Sequence, residues 1–191
     1  MTLELIPGYD VRKAAQVAAY FALKQGGAIN VLKLSKLLYL AERECMAQYD
    51  EPMFYDDLAS MPDGPVVSIT LNLINGEVEH AAWSAFIEDR SGRDIRHRPG
   101  IDINALDELS RADIAVIEAL WGRFGTWDRF KLRDWTHKAE NIPEWKNPHG
   151  SSIPISHEEV LGYLKKPRVD VLIQDIEDRR AIAQRLDAAS Q

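Results

Sequence analysis

The side chains in this chain that could do chemistry are few and scattered. Asp56-Asp57 with Asp63 is a carboxylate set of the kind that holds a cation or shares a proton. Aspartates among prolines and glycines more often make turns and cap helices, and that reading is preferred here. Five histidines, His80, His97, His137, His149 and His157, stand apart, none four residues from another, so no helix offers a two-histidine metal face. His137, where an aromatic-rich stretch meets a proline loop, is the one candidate general base, against the plainer role of anchoring that loop. The single cysteine, Cys45, forms no intrachain disulfide and reads as a small buried hydrophobe. The sequence carries no Gly-rich phosphate loop, HExxH, GxSxG or CxxC. These residues give no reason to expect catalysis, a metal or a cofactor.

Charge narrows the partners. With 30 acidic against 23 basic residues the formal charge is −7, and such a field repels a phosphate backbone, which argues against general nucleic-acid binding. Arg90, Arg93, Arg96 and Arg98 form the one strongly basic stretch, either a solvated strand edge or a dock for an acidic partner. No apolar run is long enough to cross a membrane, and Glu4 interrupts the place where a signal peptide needs an apolar run. A soluble, cytoplasmic protein is expected, and a lone cysteine suits a reducing compartment.

The elements that must position these residues centre on one helix. At about 100° per residue, Val31, Leu34, Leu37, Leu38, Ala41, Cys45 and Tyr49 fall on one side, and Leu32, Tyr39 and Met46 widen it past half the circumference. Lys33, Lys36, Arg43 and Glu44 share the remaining sector with Leu40. A stripe this wide implies a helix enclosed by neighbours. Further helices are expected over 11–24, from Pro65 to Asn75, over 111–124 after a Ser110 cap, after a Thr126 cap, from a Ser156 capping box to Pro167, and from about Val169 onward. Residues 51–64 read as a turn-rich loop and 82–99 as a small β-hairpin. The expected fold is mainly α, a compact multi-helix domain around a central helix (about 30–49), with a domain over 1–166 and a C-terminal helical extension over 167–191. That last helix either folds back or meets a partner.

Specific residues then resemble a known family. Leu34-x-Lys36-Leu37-Leu38-Tyr39, Ser60-Met61-Pro62-x-Gly64-Pro65-Val66-x-Ser68-x-Thr70 and Leu73-Ile74-Asn75-Gly76 resemble the signature of Panacea-domain, SocA-like antitoxins. Leu109-Ser110, Phe124-Gly125, Thr136-His137, Pro143-Glu144-Trp145 and Gly150-Ser151-Ser152-x-Pro154-Ile155 agree in order. The likeness spans about residues 12–165. It implies a helical domain that neutralises a cognate toxin, encoded nearby, by protein–protein contact. A proteolytic adaptor that delivers the toxin to an AAA+ protease is the implied alternative. An enzyme using His137 and a DNA-binding autorepressor remain as competitors. Gly64, Pro65, Leu34, Leu37, Leu38, Tyr39, Met61, Pro62, His137 and Trp145 are expected to be structural, with His137 and Trp145 pinning the 138–155 loop. A partner is expected to meet Lys36, Leu40, Arg43, the segment with Tyr55, Asp56, Asp57 and Asp63, and Arg96 and Arg98.

Overall fold

The computed structural model describes residues 6–189; Glu4 lies outside them. Eight α-helices and five short strands fill the described residues. The first helix, α1 (Val11–Lys24), leads through β1 (Ala28–Asn30) into the central helix α2 (Val31–Tyr49), whose cap is Asn30, accepting from the Leu32 N–H at 3.1 Å. The expectation of an enclosed helix holds more completely than the apolar pattern required. Lys33, Ser35, Lys36 and Glu42 are buried together with Leu34, Leu37, Leu38, Tyr39, Leu40, Cys45 and Met46.

Residues 51–64 are not all loop. Strands β2 (Leu58–Met61) and β3 (Gly64–Val67) form a hairpin around Pro62-Asp63, pairing Leu58 with Val67 and Met61 with Gly64. A third strand, β5 (Ile153–Ile155), joins the other side of β2, giving the order β3-β2-β5. Pro65 therefore sits in an edge strand, where a missing N–H breaks no ladder, and does not begin a helix. The helix α3 (Ser68–Asn75) starts three residues later, and the residue at its cap, Val67, supplies no side-chain bond. That work is done at long range. The Asp56 carboxylate accepts from the Ile69 N–H at 2.9 Å, the Thr70 N–H at 2.8 Å and the Thr70 hydroxyl at 2.6 Å. Asp56 is thus a buried helix cap and not a surface carboxylate.

The hairpin expected over 82–99 is mostly replaced. Residues Ala81–Ser84 form one helical turn, α4, capped by His80. Strand β4 (Asp94–Arg96) pairs with β1 instead, Ile95 opposite Ile29, and two isolated bridges, Ile87 to His97 and Ser91 to Asp94, remain of the local pairing. Two short strands are marginal alone, and the β1 segment that leads into α2 offers β4 a partner anchored in the core.

Helix α5 (Arg111–Phe124) begins at the expected capping box of Ser110 and Asp113. Helix α6 (Arg129–Thr136) is capped by Asp128, not Thr126, with the carboxylate accepting from Phe130 and Lys131. Helix α7 (His157–Tyr163) starts at the expected Ser156 box and ends before Pro167. The last helix, α8 (Val169–Ala189), folds back beside α7 and buries Ile176. Arg179, which breaks its apolar face in sequence, lies 4.6 Å over the Tyr55 ring and donates to the Tyr55 hydroxyl at 2.7 Å, while Arg180 reaches Asp57 at 3.3 Å. No described helix is long and apolar enough to cross a membrane.

Candidate partner-docking groove

Three elements meet around a groove of about 550 Å³. Its floor is the start of α2, with Val31, Leu32 and Lys36. One wall is the β2–β3 turn with Met61, Pro62 and Asp63, backed by Val66 and by Leu71 of α3. The other wall is the start of α6, with Arg129, Phe130 and Arg133, and Arg90 and Arg93 close one end. Four arginines therefore border the groove against one carboxylate, Asp63, in a chain of net charge −7, with the buried Lys36 beneath them. The N-terminal end of α2 opens into the same space, and its aligned peptide dipoles add positive potential there.

Phe130 is the aromatic centre of this wall, 46% exposed on the outer side of α6, while its neighbour Leu132 is wholly buried. Arg129 lies 4.5 Å and Arg133 5.1 Å from its ring centroid. Arg90 is held by the Gly92 carbonyl at 2.9 Å and the Asn75 side chain at 2.5 Å. Arg133 is tied to Asp134 at 2.7 Å and lies 3.9 Å from Asp63. Arg93 and Arg129 form no salt bridge among the described residues, although Arg129 helps to hold the Asp128 carboxyl below its usual range. Two guanidiniums without a salt bridge, beside an exposed phenyl ring on short, fixed elements, can hold carboxylates around an apolar group.

Beneath the groove the packing is tight. Lys36 is wholly buried and donates to the Pro65 carbonyl at 2.9 Å, supplying the hydrogen bond that edge strand β3 lacks. Burial pushes its ammonium down to about 7, with Arg133 adding to the shift and Asp63 opposing it. The folded chain thus sheds this proton from about pH 7, while the unfolded chain holds it until about 10.5. The unfolded state binds more protons across that window, so stability rises with pH there. Replacing Lys36 with methionine is expected to remove that rise. In urea unfolding at pH 7, 8 and 9, the wild-type advantage over Lys36→Met should grow with pH, and a constant difference would show that the ammonium stays charged.

His137 stacks on Trp145 with ring centroids 4.4 Å apart, and the Trp145 indole donates to the Met61 carbonyl at 3.1 Å. Burial lowers the His137 pKa, and the nearby cations Lys36 and Arg133 lower it further. The stacked pair joins the end of α6 to the loop, and the indole joins the loop to the end of β2. Glu144, beside Trp145, is anchored on α2: its carboxylate takes the Tyr39 hydroxyl at 2.6 Å and the Arg43 guanidinium at 2.5 Å.

Of the residues expected to meet a partner, the structure brings Lys36 and Asp63 to the groove and disperses the rest. Lys36 and Leu40 are buried, so α2 presents no exposed face at either position. Arg43 is committed to Glu144. Tyr55 and Asp57 are engaged by α8, and Asp56 is the internal cap of α3. Arg96 and Arg98 lie outside the groove, Arg98 donating to the Ser84 carbonyl at 2.8 Å. Their neighbours Arg90 and Arg93 line it instead. Leu34, Leu37, Leu38 and Tyr39 are core; Met61 and Pro62 form the turn, and Gly64 and Pro65 belong to β3. Sequence reasoning missed Arg129, Phe130 and Arg133. The available signal was an aromatic flanked by bases, Arg129-Phe130-Lys131-Leu132-Arg133, within eight residues of helix.

Among the described residues no group of three or more His, Cys, Asp or Glu side chains is placed to hold a metal ion. No curated protein and no solved structure matches the chain. A family model does, that described as antitoxin SocA-like, Panacea domain, over residues 34–146. This range takes in most of α2, the β2–β3 hairpin, the bases of the groove and the Glu144–Trp145 anchor, more than half of the chain. The chain belongs to the SocA-like Panacea-domain antitoxin family.

Proposed function

We propose that the chain is the antitoxin of a toxin–antitoxin pair and neutralises its cognate toxin by direct protein–protein contact in the cytoplasm. It does so without catalysis or a cofactor. The observation that carries this reading is the family match across the frame of the groove. The groove supports it, because arginines around an exposed aromatic are the side chains that dominate protein interfaces. The test is affinity purification of the tagged protein from its native host, with mass spectrometry of what survives a salt wash. One near-stoichiometric small protein encoded beside it, whose toxicity the chain suppresses, is expected. A chain recovered with no partner overturns the reading.

An enzyme using His137 makes a different forecast. His137→Ala is expected to lower stability by about 1–2 kcal/mol through loss of its packed ring. Toxin suppression should persist wherever the variant is folded. A variant of unchanged melting temperature that fails to suppress would favour catalysis.

A second reading, delivery of the toxin to an AAA+ protease, is supported by α8. This helix lies outside residues 34–146, and beyond Arg180 it carries Ile182, 57% exposed. Deleting 167–191 would also remove Ile176 and the arginines on Tyr55 and Asp57, so substitution is the cleaner test. Ile182→Asp is expected to spare toxin binding. Slower toxin turnover in that variant would support the adaptor reading, and unchanged turnover would count against this surface.

A further inference from the structure

We infer that the groove is the seat of an acidic segment of the partner, carrying carboxylates on both sides of one apolar side chain that packs beside Phe130. The inference rests on the antitoxin reading for the nature of the partner and goes beyond it in naming the surface and the chemistry it recognises.

Three observations converge. The first is charge: an acidic chain gathers Arg90, Arg93, Arg129 and Arg133 around one space, and the N-terminal end of α2 faces the same way. The second is that part of this charge is not spent in internal ion pairs. Among the described residues Arg93 and Arg129 form no salt bridge, and Arg133, bonded to Asp134 at 2.7 Å, has only a long 3.9 Å contact with the exposed Asp63, which a stronger anion can replace. The third is the apolar lining. Val31, Leu32, Met61, Pro62, Val66 and Leu71 lie between the bases, and Phe130 stands open beside them. A nucleic-acid backbone needs a continuous basic track. Here the floor is largely apolar, a carboxylate sits on the rim, and the rest of the molecule repels phosphate. An acidic protein segment satisfies the rim charges and the floor together. Its charges would steer the encounter, and the apolar group held against Phe130 would slow release.

The experiment uses the full chain in its native host. Benzoylphenylalanine is placed at position 130 and, as a control, at Tyr163 of α7, which is exposed to the same 46%. After irradiation the crosslinked segments are sequenced by mass spectrometry. In parallel, capture of the partner is measured for Arg93→Glu with Arg129→Glu. It is compared with Arg111→Glu and Arg185→Glu, which change the net charge equally at exposed sites elsewhere. The expected result is a position-130 crosslink to a net-negative segment containing an apolar residue. Capture should fall at least about tenfold in the groove pair and less than about twofold in the control pair. A crosslink to a neutral or basic segment, or to nucleic acid, overturns the inference. So does full capture by a folded groove pair, which would leave the antitoxin reading standing. Failure of the unaltered chain to capture a partner removes both.

Discussion

Exchange of Glu42 for alanine is expected to cost about 4–5 kcal/mol of stability, enough to unfold a large share of the molecules at 37 °C. Glu42 is wholly buried on α2, and its carboxyl oxygens accept from the backbone N–H groups of Met53, Phe54 at 3.1 Å and Asp56 at 2.9 Å. Removing it leaves three buried donors without acceptors, each worth about 1–3 kcal/mol, and a void where the side chain lay. The damage propagates. The same segment carries Asp56, which caps α3, and the capped Thr70 hydroxyl meets the Tyr9 hydroxyl at 2.8 Å. Urea unfolding followed by tryptophan fluorescence measures the loss. A cost below about 1 kcal/mol would mean that the 53–56 segment is held by other contacts.

The same carboxyl gives a pH signature. Burial pushes its pKa up to about 8, against the lowering effect of the three N–H groups. Between about 4.5 and 8 the folded chain therefore keeps a proton that the unfolded chain has lost, and stability falls as pH rises through that window. Asp56, raised by burial to about 6, acts in the same sense at lower pH, whereas His157, lowered by burial to about 4, acts in the opposite sense. The total curve mixes these groups. The difference between wild type and Glu42→Gln isolates one of them, and the wild-type share should decline from pH 5 to pH 8.

The second large effect is expected at Gly64, where alanine should cost about 3–4 kcal/mol. Its φ of +101° lies in the left-handed region that a side chain strains. A Cβ there would stand 2.9 Å from the Thr136 hydroxyl oxygen, 3.2 Å from His137 Nε2 and 3.2 Å from Lys36 Cε. Strain and collision act together, and none of the three neighbours is free to withdraw. Lys36 is fixed on the Pro65 carbonyl, Thr136 donates to the Arg133 carbonyl at 2.8 Å, and His137 is stacked on Trp145. A thermal melt should show a fall of roughly 10 °C or more, for which a ΔΔG of this size is sufficient in a chain of this length. An unchanged melting temperature would show that the turn shifts freely. Because Gly64 underlies the Pro62-Asp63 turn, any surviving folded fraction should also dock its partner more weakly.

The helices were legible because local signals and burial agreed. Asn30, Ser110 and Ser156 cap where their side chains predict, and the wide apolar sector of α2 announced its enclosure. What escaped the sequence were the long-range substitutes for local rules. The α3 cap comes from Asp56, the carbonyl of Pro65 is satisfied by Lys36 twenty-nine positions away, and β4 takes its partner from residues 28–30. Charged residues on a helix read as solvent-facing by default, so the burial of Lys36 and Glu42 gave no sign in the periodicity. The groove was half legible. Arg90 and Arg93 belong to a basic stretch visible in sequence, but its meeting with α6 depends on tertiary placement. Nothing in the sequence separates the exposed Phe130 from the apolar residues around it, Trp127, Leu132 and Trp135, because which side of α6 faces out is set by its neighbours.

Both outer strands of the β3-β2-β5 sheet carry a proline, Pro65 on one and Pro154 on the other. A proline on an edge strand withholds a donor from any strand laid against it, and Lys36 has already claimed the Pro65 carbonyl. The sheet is therefore a poor template for extension from either side. A chain whose sheet cannot readily recruit a second copy can accumulate without seeding aggregates. Recognition is then left to side chains, which can change by single substitutions while the backbone frame stays as it is.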